Sequence, residues 1–524
     1  MSQGWIRVIV LVLILLYLLP VWGFKYFPSV DGPSHIYNAH ILNHLDHPAW
    51  IFKDYFELNL RPFPNWTGSL LMLALQKAAS PLRAEKIFLT VSIILFIWAL
   101  YYLLGASGHR NRFLTLFGFM FIYNLMFLSG FYSFCLGVSL LLLALGYFWK
   151  HKDAFTWKRG ALLSLMLLAV YFSHPVPCLL AFAILGLFIL LYYRNRLKKM
   201  AAVFLAMVPA LAFFAYYSLA YRLLTTEKSA ANFKNWPGFL TDFFSFRFLV
   251  TLDVHWQPLL ASACAGLLAL LFVWTAVRRI QRREPARDQP SEKKSYFLLA
   301  FGASFVLYTL LPDIVAGHAS AINQRFGLVA ALMILPWIPT DPGRAVRRAI
   351  SVLAVGLALA NLFVLQRSFS LINQELAEFT EGVDHMERGS TYIPLIIERC
   401  EPSSVVPYLL HAADYYGLNN GNVDLADYEA NRDYFPLRFR KGIERPDVGL
   451  VIDEPELLDY ARLSRYVRYI LVCGRNPKVV DRVKAHYSLL WKNAKVRLFQ
   501  SLDMRETRAH RLRRREEKLL HEPS

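Results

Sequence analysis

Charge is scarce in this chain of 524 residues: Asp, Glu, Lys and Arg make up 18% of it, against 56% hydrophobic residues. With a mean hydropathy of +0.34, such a composition argues against an ordinary water-soluble globule. Cysteine is scarce as well. There are five, and no two form a CxxC pair, so zinc-ribbon and thioredoxin-type readings find no support. A P-loop, a GxSxG elbow, an HExxH pair and a dinucleotide fingerprint in its proper context are also missing. Their absence argues against a nucleotide-driven pump, a common serine hydrolase and a zinc protease. No repeat of fixed period runs through the chain.

Long apolar runs are abundant. The first, "VIVLVLILLYLLPVWGF", follows Arg7 and is trailed by large aromatics rather than a small-residue cleavage site, so it reads as a retained helix. Further runs cover roughly 87–105, 113–128, 131–149, 160–173, 176–193, 200–221, 257–277, 295–311, 326–340 and 348–366. Backbone polar groups in lipid must be satisfied within their own segment, so these runs predict about eleven transmembrane helices. The segment 66–78 is short and reads as juxtamembrane or re-entrant.

The formal charge of +19 comes largely from short basic loops at 108–112, 150–159, 194–199, 278–294 and 341–348. All five fall on one side of the predicted helices. That is the positive-inside pattern, and it needs no nucleic-acid partner. It places the N-terminus in the cytoplasm and the C-terminal region outside.

The chain then divides into a membrane domain over 1–366, an extracytoplasmic α/β domain over 367–504 and a charged tail over 505–524. The membrane domain carries a first outer loop at 25–86. In the C-terminal region "LINQELAEFTEGVDHM" reads as an amphipathic helix. "STYIPLII", "VGLVID", "YVRYILVCG" and "KVRLFQS" read as strands, with "NPKVVDRVKAHYSLL" a helix between the last two. Cys400 and Cys473 lie here and could pair in an oxidising compartment. Cys135, Cys178 and Cys264 read as small apolar residues in or near membrane segments.

Polar residues gather in the loops of the outer side: Asp31, His35, Asn38, Asp54, Arg61, His174, Asp253, His255, Asp313, His318, Asn323 and Arg325. Ionisable groups at membrane depth are costly and tend to mark functional cavities. In "VDGPSHIYNAHILNHL", Pro33 suits the first turn of a helix, with Asp31 or Gly32 as its cap. Tyr37, Ile41 and Leu45 then share a face that can lie along the bilayer. Asp31 is either a plain cap or a site group. His40, His44 and His47 share another face, as headgroup-facing residues or metal ligands.

His174 in "YFSHPVPC" reads as a hydrogen-bonded core residue or a site residue. Arg325 heads a membrane helix, where a guanidinium can grip a phosphate beside the helix dipole. It could equally anchor to headgroups or pair with Asp313. The stretch 409–440, which includes His411, is rich in Tyr, Asn, Asp and Arg. Exposed rings and amides of this kind suit sugar recognition.

A cytoplasmic entry helix, a long first outer loop with an early acid, juxtamembrane helices and an outer α/β domain together resemble the multipass GT-C class of glycosyltransferases. "VDGPSHIYNA" is similar to the aspartate-x-proline-x-histidine variant of bacterial relatives of that class. "NLMFLSGFYSFCLG", "SHPVP" and "INQRF" are similar to other segments of the same group. The resemblance implies a polyprenyl-phosphate-linked sugar as donor, a glycan, lipid or protein as acceptor, and a place in the bacterial inner membrane.

Asp31 is then the general base, positioned by His35, in an inverting transfer. Asn38, Arg61, His174, Asp313, His318, Asn323, Arg325 and His411 are the candidate substrate-binding residues. The chain departs from the class where Gly32 stands in place of a second acid, which leaves Asp54, Glu57, Asp253 or Asp313 to supply one. No cofactor is indicated, and a divalent metal stays open. A transporter or flippase of lipid-linked glycan, or a non-catalytic scaffold of the same fold, are the competing readings.

Overall fold

The computed structural model describes residues 3–224, 231–232, 235–281, 290–315, 321–338 and 343–504. His318 and the charged tail lie outside the described residues. Among those described, seven helices are long and apolar enough to cross a membrane: Gly4–Gly23, Pro81–Ser107, Tyr132–Ala154, Pro175–Tyr192, Leu197–Ala220, Gln257–Gln281 and Arg344–His385. Shorter apolar helices span Arg112–Phe121, Ser295–Leu310 and Ile322–Ile334. Tyr132–Ala154 is the central one, with 89% of its apolar window buried, whereas Leu197–Ala220 is peripheral at 22%.

The expected single helix over 113–128 is broken into short helical pieces, Thr115–Gly118, Phe119–Phe121 and Leu125–Leu128. These pieces are buried, and broken backbone at membrane depth is tolerated only where protein surrounds it. The segment still runs the length of its neighbour. Arg112 lies beside Gly105 near the end of the Pro81–Ser107 helix, and Tyr132 bonds Glu85 near its beginning. The segment at 66–78 forms a helix over Trp66–Gln76, only 11 residues long.

The boundary expected at 366 is not a break. One helix runs over Arg344–Thr380, 37 residues. At 1.5 Å per residue it is about 55 Å long, against about 30 Å of hydrocarbon. The helix read at its C-terminal end is therefore a continuation of a membrane-length helix, and it carries the α/β part as a strut. Lys495 of that part pairs with Glu375 on the strut.

The C-terminal sheet has five strands: β1 (Thr391–Ile396), β2 (Val423–Asp424), β3 (Tyr469–Cys473), β4 (Tyr487–Lys492) and β5 (Val496–Ser501). Their order is β2-β1-β3-β5-β4. The first two neighbour pairs are parallel and the last two antiparallel. "VGLVID" is a helix rather than a strand, over Val448–Asp453. Asp447 caps it by accepting from the Leu450 N–H, a local signal stronger than β-branched composition. The region after Asn476 forms a helix over Pro477–Lys484 and then turns into β4. Cys400 and Cys473 are both free thiols.

The α/β part is sewn onto the first polar segment and onto the stretch before the Gln257–Gln281 helix. Phe56–Leu58 pairs antiparallel with Leu437–Phe439, and the Val405 N–H donates to the Thr251 carbonyl. The helix Gly32–His44 lies beneath this part and not along an open bilayer surface. Tyr37 and Ile41 are fully buried, and the Tyr37 hydroxyl donates to the Asn422 carbonyl at 2.7 Å.

Candidate functional site

The approach to Asp31 is an irregular stretch tied to its neighbour by two backbone hydrogen bonds. Val30 N–H donates to the Leu128 carbonyl and Asp31 N–H to that of Ser129, at 3.1 and 3.2 Å. Gly130 follows at φ +84°, a backbone state that side chains resist. Its absent Cβ would also meet the backbone of Asp31. Pro33 then starts the Gly32–His44 helix. Asp31 occupies the cap position, but its carboxylate makes no capping hydrogen bond. It is left to face the site.

Gly32 explains the missing second acid. A Cβ there would overlap Ser29, the Tyr132 hydroxyl and the Glu85 carboxylate. A side chain at 32 would have to displace these three tips, one of which belongs to an acid on another helix. Glu85 is 1% exposed and accepts from the Tyr132 hydroxyl at 2.7 Å. The four acids expected as substitutes are placed elsewhere or do other work. Glu57 pairs with Arg438 at 2.8 Å. Asp253 accepts from the His255 and Trp256 N–H groups. Asp54 sits on a short helix over Phe52–Tyr55. Asp313 gives its carbonyl to the Ile322 N–H, closing the turn into the helix that carries Arg325.

His35 stands one turn after Asp31. Its Nε2 lies 2.8 Å from the Gly130 carbonyl, and its Nδ1 pairs with Glu429. Both nitrogens face acceptors, so the ring carries both hydrogens and is cationic. Burial works against that charge, but Glu429, then Asp31 and Gly130, hold its pKa up at about 9. Burial raises Asp31 to about 7. His35 offsets part of that rise, Glu429 adds to it, and a hydrogen bond from Tyr428 and the charge of Arg325 lower it again. The His411 ring lies 3.8 Å from the Asp31 carboxylate and stacks on Tyr428 at 4.4 Å between centroids. Burial, with His35 and Arg399, drops His411 to about 3, so it stands neutral beside Asp31.

A second pair of groups completes the site. His174 joins two helices, and its Nδ1 accepts from the Val176 N–H at 3.1 Å, capping the Pro175–Tyr192 helix. Its Nε2 lies 3.2 Å from Nη1 of Arg325, a hydrogen-bond contact that holds the guanidinium beside the ring. The guanidinium is set by its cation–π contact with Phe131, 4.3 Å from the ring centre. Asn323, on the first turn of the same helix, is fully buried, and among the described residues neither atom of its amide has a hydrogen-bond partner.

The structure thus brings Asp31, His35, His174, Arg325 and His411 together. Arg61 sits at the rim, 3.4 Å from Asp433. Beside it a groove of about 320 Å³ opens between Pro62, Ala212, Phe213 and Tyr216. Asn38 is directed elsewhere: its amide donates to Asp427 at 3.3 Å, within a second acidic group.

That group comprises Asp414, Asp424 and Asp427, all buried. Burial raises all three, Asp424 to about 7 and the other two well above the ordinary carboxylate range. Asp414 and Asp424 share a hydrogen bond, and Ser34 donates to Asp414. They line a cavity of about 20 Å³ with His411, room for about one water. Among the described residues no three His, Cys, Asp or Glu side chains are arranged to hold a metal ion.

Glu429, Tyr428, Glu85 and the three buried aspartates were not legible as site residues. The stretch 409–440 was read as an exposed sugar-binding loop, yet Asp414, Tyr415, Tyr416, Asp424, Asp427 and Glu429 are buried. They fold over the Asp31 helix and do not face solvent. No protein family matches this chain, and no curated protein matches it.

Proposed function

We propose that the chain is a membrane glycosyltransferase, which moves a sugar from a polyprenyl-phosphate donor to an acceptor hydroxyl at the extracytoplasmic face of a cytoplasmic membrane. The observation that carries this reading is the convergence in one site of the Asp31 carboxylate, which caps no helix, with the Arg325 guanidinium and the His174 ring 3.2 Å from it. The acceptor oxygen attacks the anomeric carbon as the bond from that carbon to the phosphate oxygen breaks. Asp31 takes the hydroxyl proton, and a base with affinity near neutrality is well matched to that task. The bonding pair leaves with the phosphate, whose charge the Arg325 guanidinium, held beside His174, receives. Attack opposite the leaving group inverts the anomeric centre.

The basic loops support a cytoplasmic N-terminus and an extracytoplasmic α/β part. With Ser295–Leu310, Ile322–Ile334, the 17-residue helix Trp157–Ser173 and the broken 113–128 segment, the seven long helices are consistent with about eleven crossings. The groove by Pro62, Phe213 and Tyr216 is apolar and opens beside Arg61, which suits an isoprenoid tail.

The test is a transfer assay in membranes supplied with a panel of polyprenyl-phosphate sugars, comparing wild type with Asp31→Asn at equal expression. Transfer by the wild type that collapses in the variant is the expected result. Equal transfer by both removes Asp31 as the base, and no transfer from any donor removes the reading itself.

A further inference from the structure

We infer that Glu429, from the C-terminal part, is a positioning residue: it fixes His35 as a lasting cation and through it sets the charge state of Asp31. The inference rests on Asp31 being the base of the proposed reaction. An imidazole can satisfy two acceptors only when both nitrogens carry hydrogen, and His35 faces Gly130 on one side and Glu429 on the other. Neither ring contact is to Asp31. From His35, Asp31 receives only the backbone N–H, at its own backbone carbonyl and 3.0 Å away. His35 therefore acts on Asp31 through its charge, and not as a proton donor or acceptor in the reaction.

Other groups bear on the pair. Tyr428 and His411 face it from the C-terminal part, Arg325 from the Ile322–Ile334 helix, and Glu85 and Tyr132 from the membrane helices. Tyr434 lies beside Arg325. None of them touches a ring nitrogen of His35 in the contacts described. Glu429 is 1% exposed, so its carboxylate is shielded from water and needs its cationic partner. The Tyr428 hydroxyl bonds Asp31 and lies 3.4 Å from Glu429, so its single hydrogen is shared between the two acids.

Removing the charge of Glu429 has two opposed effects. The direct one removes a like charge near Asp31 and makes Asp31 easier to ionise. The indirect one releases the proton of His35, so Asp31 loses its nearest cation and becomes harder to ionise. His35 weighs more on Asp31 than Glu429 does, so the indirect effect wins. The sign of the change therefore separates a positioning role from simple proximity.

The experiment labels the detergent-solubilised full chain with dicyclohexylcarbodiimide, which attacks protonated carboxyl groups in apolar surroundings. The peptide bearing Asp31 is followed by mass spectrometry from pH 5 to 9. Glu429→Gln is expected to raise the labelling midpoint by about one pH unit, a tenfold change in the protonated-to-ionised ratio. His35→Gln should raise it by a similar amount. Glu429→Asp, whose shorter side chain draws the carboxylate from the ring, should raise it less, and it carries the test if Glu429→Gln does not fold. An unchanged or lowered midpoint in the 429 variants overturns the proposal.

The assay needs no sugar donor. A raised midpoint in a protein that transfers no sugar sinks the glycosyltransferase reading alone. An unmoved midpoint in an active enzyme sinks this inference alone.

Discussion

His35 and His40 lie on one helix, five residues apart, and both rings are largely withdrawn from water. Their charges differ. Burial lowers both, yet His35 stands at about 9 and His40 at about 3. Glu429 and the Gly130 carbonyl hold the first. The second has His44 at 4.3 Å and Trp50 at 5.0 Å between ring centres, and its Nε2 has no hydrogen-bond partner among the described residues. Desolvation is the common cost, and a carboxylate decides whether the charged form survives it. One end of the helix is built to keep a charge beside Asp31. The other is built to exclude charge and stack rings beneath the α/β part.

The largest effect should come from the charged end. Asp31→Asn removes the base, and transfer at pH 7 should fall by about 10²–10⁴-fold, with unchanged elution of the purified protein as the check on folding. Next comes the facing donor. Arg325→Gln should cost about 10²–10³-fold in kcat, and Arg325→Lys should recover part of it, since charge returns without the planar fork. A variant retaining full kcat would remove Arg325 from the reaction.

A third measurement probes what the charged end rests on. Asp414, Asp424 and Asp427 are all raised above the ordinary 3.8 by burial, Asp424 to about 7. The folded state therefore binds more protons than the unfolded state between about pH 4 and 7, and stability falls as pH rises through that window. Asp427→Asn should flatten the decline, read as thermal unfolding midpoints at pH 5 and pH 8. A slope equal to wild type would show that these carboxyls do not weaken the joint. His35 adds a separate loss at higher pH, because its stabilising charge is complete below 6.5 and disappears as pH rises through about 9.

The smallest effect belongs to the uncharged end. His44→Ala removes a ring from the stack and leaves Asp31 untouched, so transfer should stay within about twofold, with stability changed by about 1 kcal/mol. A large loss of transfer would show that the stack, too, serves the site.

Much of the architecture was legible because lipid imposes strong rules. Apolar length marks the helices, basic loops mark their common side, and Pro33 marks a helix start that the structure places at Gly32. The strands 391–396, 469–473 and 496–501 were readable from β-branched runs. "VGLVID" was not, since one cap at Asp447 outweighed its composition. His174 and Arg325 were readable as candidates because charge at membrane depth is rare, but their contact was not, since they stand 151 positions apart.

By itself, then, the sequence determined that the chain is helical and membrane-like, and that Asp31 stands where a helix begins. Only the tertiary structure decided what surrounds Asp31. It brought Glu429 to His35 across almost four hundred residues, set Glu85 against Gly32, and folded the polar stretch 409–440 over the Asp31 helix as a buried wall. Local patterns record periodicity and caps. The charge of a buried group depends on which distant group is packed against it, and no local pattern carries that.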